Sequence, residues 1–188
     1  MATLEPGSAI LTAMYYNKRD DAKRLAAEAS ALTVWEAAAL GADDRLRDLL
    51  DRDPALANAY APDGHTPLGL ASFFAAASTA RLILGRGGHV GAAARNDMKV
   101  QPLHAAVASR NMETVALLLE HGADPNARQQ VGYTPLMGAA GAGREDMADL
   151  LLARGADPRA TNEEGKTAAD IAREHGHAKL AERLMSAT

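Results

Sequence analysis

Apolar residues in this chain come in short runs at helical spacing, and each run is closed by a turn-forming residue. From Met112 to Glu120, Val115, Leu118 and Leu119 fall on one face of a helix, and Gly122 ends it, as a residue without Cβ can. Ahead of it, Pro102 stands at a first helical position, where its missing N–H costs nothing. The helix it opens runs to about Ala108, and Arg110-Asn111 turns the chain into the second helix. Ala123-Asp124-Pro125-Asn126-Ala127 then leads out as an extended loop. One unit is therefore a helix, a turn, a second helix and a loop.

The unit recurs. Thr66-Pro67-Leu68, Gln101-Pro102-Leu103-His104-Ala105-Ala106 and Thr134-Pro135-Leu136 start 35 and 33 residues apart, and a degenerate copy begins at Thr167, 33 further on. Leu117-Leu118-Leu119 and Leu150-Leu151-Leu152 keep step with them. A period near 33 means a stack of small units, which presents a long surface and rarely builds a catalytic centre. Helix pairs are expected over 66–88 and 134–158, preceded by a divergent pair near 33–40 and 43–51 and followed by a pair over 167–174 and 178–186. Ala13-Met14-Tyr15-Tyr16-Asn17 aligns with Ala37-Ala38-Ala39-Leu40-Gly41 at a spacing of 24, too short for a projecting loop. Residues 1–188 are thus expected to form a single all-α repeat domain, with a helical cap at 9–30, repeats at 31–63, 64–98, 99–131 and 132–163, and a capping repeat at 164–188.

Composition narrows the functions. Hydrophobic residues make up 47% of the chain, so burial is not limiting, and the Ala and Leu that dominate suit thin, closely packed helices. A formal charge of −4 without any basic block gives no electrostatic reason to bind nucleic acid or an anionic membrane. The absence of cysteine removes disulfides and thiolate chemistry, which agrees with a cytoplasmic location. Met1 to Ser8 contains Glu5 and Pro6 and lacks a basic start followed by a long apolar run, so neither a signal peptide nor a membrane span is expected.

Catalytic and metal-binding patterns are weak. His175-Gly176-His177 is the only close histidine pair, and a spacing of two at a helix end does not put both rings on one face. Gly85-Arg86-Gly87-Gly88-His89-Val90-Gly91 follows a helix and lacks the Lys-Ser or Lys-Thr ending of a phosphate loop. Ser72, Ser78 and Ser109 sit in no nucleophile elbow, and acidic pairs such as Asp43-Asp44 and Glu145-Asp146 begin helices, where their charge suits the dipole. No catalytic residue, metal ligand or cofactor is therefore assigned, and no enzyme is expected.

Asp63-Gly64-His65-Thr66-Pro67-Leu68, Gln101-Pro102-Leu103-His104-Ala105-Ala106, Gly132-Tyr133-Thr134-Pro135-Leu136 and the run from Leu117 to Ala127 together resemble the ankyrin repeat family, over residues 31–188 and more faintly over 9–30. The resemblance implies a solenoid of antiparallel helix pairs joined by short projecting β-hairpin loops, about four to five units plus the N-terminal cap. It also implies binding of other proteins through the hairpin tips and the inner helices. Thr and His, which brace the family's units by hydrogen bonds, occur together in no unit here: Gly69 follows Thr66, Met137 follows Thr134, and Gln101 precedes His104. The hairpin between Gly87 and Gln101 carries two extra residues and lacks the Gly before Gln101, so a distortion is expected there.

Placed on that architecture, six of the seven aromatic residues map to the recognition surface. Tyr15, Tyr16, Phe73 and Phe74 fall at the groove end of inner helices, with Leu40, Ala108 and Ser109 at matching slots; Tyr60, Arg128 and Tyr133 lie on the hairpins. Trp35 maps to the interior. Rigid rings give contact area at low entropic cost, so an aromatic groove in the N-terminal half and a shallower trough past Ala108, Ser109, Gly141 and Ala142 are expected. The function implied is a monomeric adaptor or inhibitor that binds a partner protein. The alternative is a chaperone-like accessory that stabilises a co-produced enzyme.

Overall fold

The computed structural model describes residues 8–74 and 76–187. The leader expectation at Met1 to Ser8 falls, apart from Ser8, outside the described residues. Among the described residues twelve α-helices follow one another as six pairs. The inner members are α1 (Ala9–Tyr15), α3 (Val34–Leu40), α5 (Pro67–Phe73), α7 (Pro102–Ala108), α9 (Pro135–Gly141) and α11 (Ala168–Glu174). The outer members are α2 (Arg19–Glu28), α4 (Asp43–Arg52), α6 (Ala77–Gly85), α8 (Met112–Glu120), α10 (Glu145–Ala153) and α12 (Ala178–Ser186). Each pair packs together, inner helices pack in sequence from α1 to α11, and outer helices α4 to α10 form a second row.

Local chemistry sets the start of each inner helix. The hydroxyls of Ser8, Thr33, Thr66, Thr134 and Thr167 each accept the backbone N–H three residues on, and Pro67, Pro102 and Pro135 open their helices. At Thr33 and Thr167 the cap is reciprocal, with Glu36 and Asp170 accepting from the threonine backbone and hydroxyl. Gln101 is the exception and caps nothing with its side chain.

Small residues let the inner row close up. Ala37, Ala38, Ala71, Ala106, Ala139, Ala140 and Ala172 are fully buried between helices, while Leu46, Leu50, Ile83, Leu118 and Leu151 fill the space beneath the outer row. One hydrophobic cluster runs from Val34 to Leu184, and a smaller one joins α1 and Ala22 to Ala39, Leu70 and Phe74. Trp35 is half-buried against both clusters, and its indole N–H donates to the Ala59 carbonyl at 3.0 Å.

The projecting loops differ from the expected β-hairpins: among the described residues there is no strand. Each loop is closed by a single backbone bond, Ala61 N–H to His65 O, Ala94 to Val100, Gln129 to Tyr133 and Asn162 to Lys166. Successive tips are joined by one backbone–backbone bond each, from Arg95 N–H to Gly64 O, Gln130 to Met98 O and Glu163 to Val131 O. So few bonds turn the chain back without forming a ladder. Gly64 is required at its tip, because a Cβ there would lie 2.8 Å from the Arg95 carbonyl and its φ is +85°.

The insertion between Gly87 and Gln101 resolves into a longer tip rather than a lost register. Ala94 and Val100 close it across six positions, where the other three loops close across four. Asn96-Asp97-Met98-Lys99 forms this enlarged tip, and Lys99 takes the left-handed position (φ +50°) that Gly64, Gly132 and Gly165 hold elsewhere. Gly91 stands where the neighbouring loops have Asn58 and Asn126. Asn58 donates to Gly87 O and accepts from His89 N–H, and Asn126 makes the same pair of bonds to Gly155 O and Asp157 N–H.

Candidate functional site

The last helical residue of each inner helix falls seven positions after its N-cap, giving the series Tyr15, Leu40, Phe73, Ala108, Gly141 and Glu174. The next residue, the C-cap, gives Tyr16, Gly41, Phe74, Ser109, Ala142 and His175. In the α3 unit the matching slots are therefore Leu40 and Gly41, one position later than the sequence alignment placed them.

Adjacent side chains at a helix end point in different directions, and here they separate. Phe73 is 44% exposed, whereas Phe74, expected on the open groove, is only 7% exposed and belongs to the N-terminal cluster. The reason is its neighbours: the Phe74 ring joins the small Ala39 of α3 and the α1 residues Ile10, Leu11, Ala13 and Met14 in that cluster. Arg19 fixes the Phe74 backbone by donating to its carbonyl at 3.2 Å. Tyr15 and Tyr16 are both exposed, at 43% and 75%.

Tyr15, Phe73 and Phe74 form a ring cluster. Phe73 and Phe74 meet edge to face at 5.1 Å, and Tyr15 lies 5.4 Å from Phe74 and 6.4 Å from Phe73. The Tyr15 hydroxyl donates to Asp63 Oδ2 at 3.0 Å, and Asp63 Oδ1 accepts the His65 N–H. Burial first, then the Asp63 charge and this hydrogen bond, raise the Tyr15 pKa well above its ordinary value, so the phenol stays protonated.

Beside this cluster the groove deepens into a cavity of about 320 Å³ between α5, α7 and the tips above them. Tyr15, Phe73 and Ala108, expected at groove slots, are among its lining residues. Leu70, Met98, Val100, His65, His104 and Gln129 line it as well and were not foreseen. Met98 comes from the enlarged tip and is 50% exposed; an apolar residue inside an inserted polar tip was the signal available for it.

The remaining expected residues are dispersed. Leu40 is half-buried against the N-terminal cluster. Tyr60 is half-buried with the Arg95 guanidinium 3.7 Å above its ring, so its face is already occupied. Tyr133 is half-buried against the main core, and its carbonyl accepts from Gln129 N–H and His104 Nε2. Ser109 donates to the Ser72 carbonyl at 2.9 Å, and Arg128 is exposed, donating to Thr161 O on the next tip at 2.8 Å. Past Ala108 the trough is narrowed by His175, whose ring atoms lie 3.8 Å from where a Gly141 Cβ would stand; the His177 ring sits over Gly143 instead.

His104 joins the site to the core. Its Nε2–H donates to Tyr133 O at 3.2 Å, and its buried Nδ1 has no hydrogen-bond partner. Burial holds its pKa below the ordinary 6.5, against the weaker opposing pull of the Tyr133 and Ala127 carbonyls and the Asp124 charge, so the ring is neutral at pH 7. Among the described residues no group of three or more His, Asp or Glu is placed to hold a metal ion, and no helix is long and apolar enough to cross a membrane.

Two family models match the chain, one described as ankyrin repeats in three copies over residues 34–129 and one as ankyrin repeats in many copies over 118–172. Ankyrin repeats are generally protein–protein interaction modules and typically not enzymes. A comparison with curated proteins gives no match. The stacked helix pairs, the capping threonines and prolines at each inner helix and these matched spans together establish that the chain belongs to the ankyrin repeat family.

Proposed function

We propose that this chain is a non-enzymatic, monomeric adaptor or inhibitor that binds a partner protein in the N-terminal half of its concave groove. Tyr16, Phe73, Met98 and Ala108 provide the contact surface, and the Arg128 tip lies beside it. One observation carries the reading: Phe73 and Met98, two large side chains that stay about half exposed, line an apolar cavity of about 320 Å³.

The test is affinity capture from the native cell lysate with the wild-type chain and with Tyr16→Ser combined with Phe73→Ser. Both side chains are open to solvent, so the helical circular dichroism signal stays unchanged while recovery of the partner falls by about tenfold or more, as for loss of a central aromatic anchor. Equal recovery by both proteins removes the groove assignment.

A further inference from the structure

The cavity beside Phe73 has an electrostatic asymmetry that an apolar anchor would not use. No Asp, Glu, Lys or Arg lines it, yet its lining residue Tyr15 donates its hydroxyl to the carboxylate of Asp63 at 3.0 Å. Among the described residues none of the ion pairs includes Asp63. Arg95 is bonded through its backbone N–H to the adjacent Gly64 carbonyl, but its guanidinium is turned to the Tyr60 ring rather than to Asp63. The negative charge therefore has hydrogen-bond donors, a phenol and a backbone amide, and among the described residues no ion-pair partner.

Tyr15, which holds this carboxylate, lies 6.4 Å from Phe73 between ring centroids, and each ring has nearly half its surface open. Aromatic faces attract cations through their quadrupole, and a nearby carboxylate adds to the same potential. Behind them Leu70, Met98 and Val100 make an apolar wall. The cavity thus combines an aliphatic wall, aromatic rings and, through Tyr15, a carboxylate without an ion-pair partner, which matches the two parts of a basic side chain: methylenes that pack on apolar surface, and a cation.

We propose that the cavity is the binding site for a basic side chain, arginine or lysine, presented by the partner polypeptide, with its stem against Leu70, Met98 and Val100 and its cation between Tyr15, Phe73 and Asp63. This rests on the groove reading above and names the chemistry of its occupant. A net charge of −4 on this chain favours the approach of such a partner.

The test uses three small probes on the full chain: N-acetyl-arginine methylamide, its citrulline counterpart, which has the same shape without the charge, and the norleucine counterpart, which keeps only the stem. Aromatic and methyl NMR signals of Tyr15, Phe73 and Met98 report binding. Arginine is expected to shift them saturably and to bind about three- to fivefold more tightly than citrulline or norleucine, the range of one cation–π contact at an exposed site. Asp63→Asn, which keeps the hydrogen-bonding shape, is expected to remove most of that preference with the melting temperature unchanged. Citrulline or norleucine matching arginine, or no probe shifting these signals, overturns the proposal. If partner capture still depends on Phe73 in that case, the groove reading stands and only the basic anchor is lost.

Discussion

His104 is the residue where this array departs most clearly from a fully braced one. Its Nδ1 is buried without a partner, and Gln101, three residues earlier, caps nothing. In the reciprocal caps, Thr33 and Thr167 direct their hydroxyls to the side chain three residues on, and at Gln101 that side chain is His104. Gln101→Thr is expected to cap α7 and supply a donor to Nδ1, raising stability by about 1 kcal/mol in urea or thermal unfolding. The imidazole also fixes a pH dependence. Unfolded histidine takes a proton near 6.5, while burial lowers the folded pKa. Below pH 6.5 the unfolded chain thus binds more protons, and stability falls as pH drops from 6.5 toward the folded value, with no dependence on this group above 6.5. His104→Gln is expected to flatten the slope of unfolding free energy against pH between about 6.5 and 5, before the carboxylates titrate. An unchanged slope would place the effect elsewhere.

At the scale of elements, the segment from Gly88 to Gln101 gathers the departures. It lacks the bridging asparagine, replaces a left-handed glycine with Lys99, lacks a threonine cap and carries the enlarged tip that places Met98 on the cavity wall. Local rules broken together at one place coincide with the candidate site, as expected where stability yields to function. Gly91→Asn is expected to rebuild toward Gly122 and Asp124 the bridge that Asn58 makes to Gly87 and His89, adding about 1 kcal/mol by chemical denaturation. A notional Cβ at Gly91 meets only Gln101 Oε1, at 3.9 Å, so the side chain has room. The adjacent phenylalanines are expected to part sharply: Phe74→Ala costs about 3 kcal/mol or more through the cavity it leaves, whereas Phe73→Ala stays near or below about 1 kcal/mol. Helix bounds were legible because caps, prolines and glycines mark them in the sequence. The division between Phe73 and Phe74 was not, because it depends on how α1 and Ala39 of α3 pack around the second ring. Met98 escaped notice because the tip's closing bond, from Ala94 to Val100, had to be seen before its register was known.

Across the whole molecule, cohesion runs from each unit to the next. The alanine-lined inner row carries it, and the outer row is tied by exposed ion pairs: Arg86 to Asp51, Arg81 to Glu113 at 3.5 Å, and Arg183 to Glu145 and Asp149 at 2.6 and 2.5 Å. Such pairs contribute about 1 kcal/mol or less each and weaken with salt, so the stack rests on packing. Period and capping residues made this architecture readable from the chain alone, while the shape of its hollow side required the tips to be placed. The most direct measurement is hydroxyl-radical labelling of the full chain, read by mass spectrometry, free and in complex with the captured partner. In the free protein Tyr16, Phe73 and Met98 are expected to label readily and Phe74 hardly at all. In the complex Phe73 and Met98 become protected, while Met185 on α12, 47% exposed and away from the cavity, labels as before. Protection of Met185 with Phe73 and Met98 unchanged would contradict a partner site in the N-terminal groove.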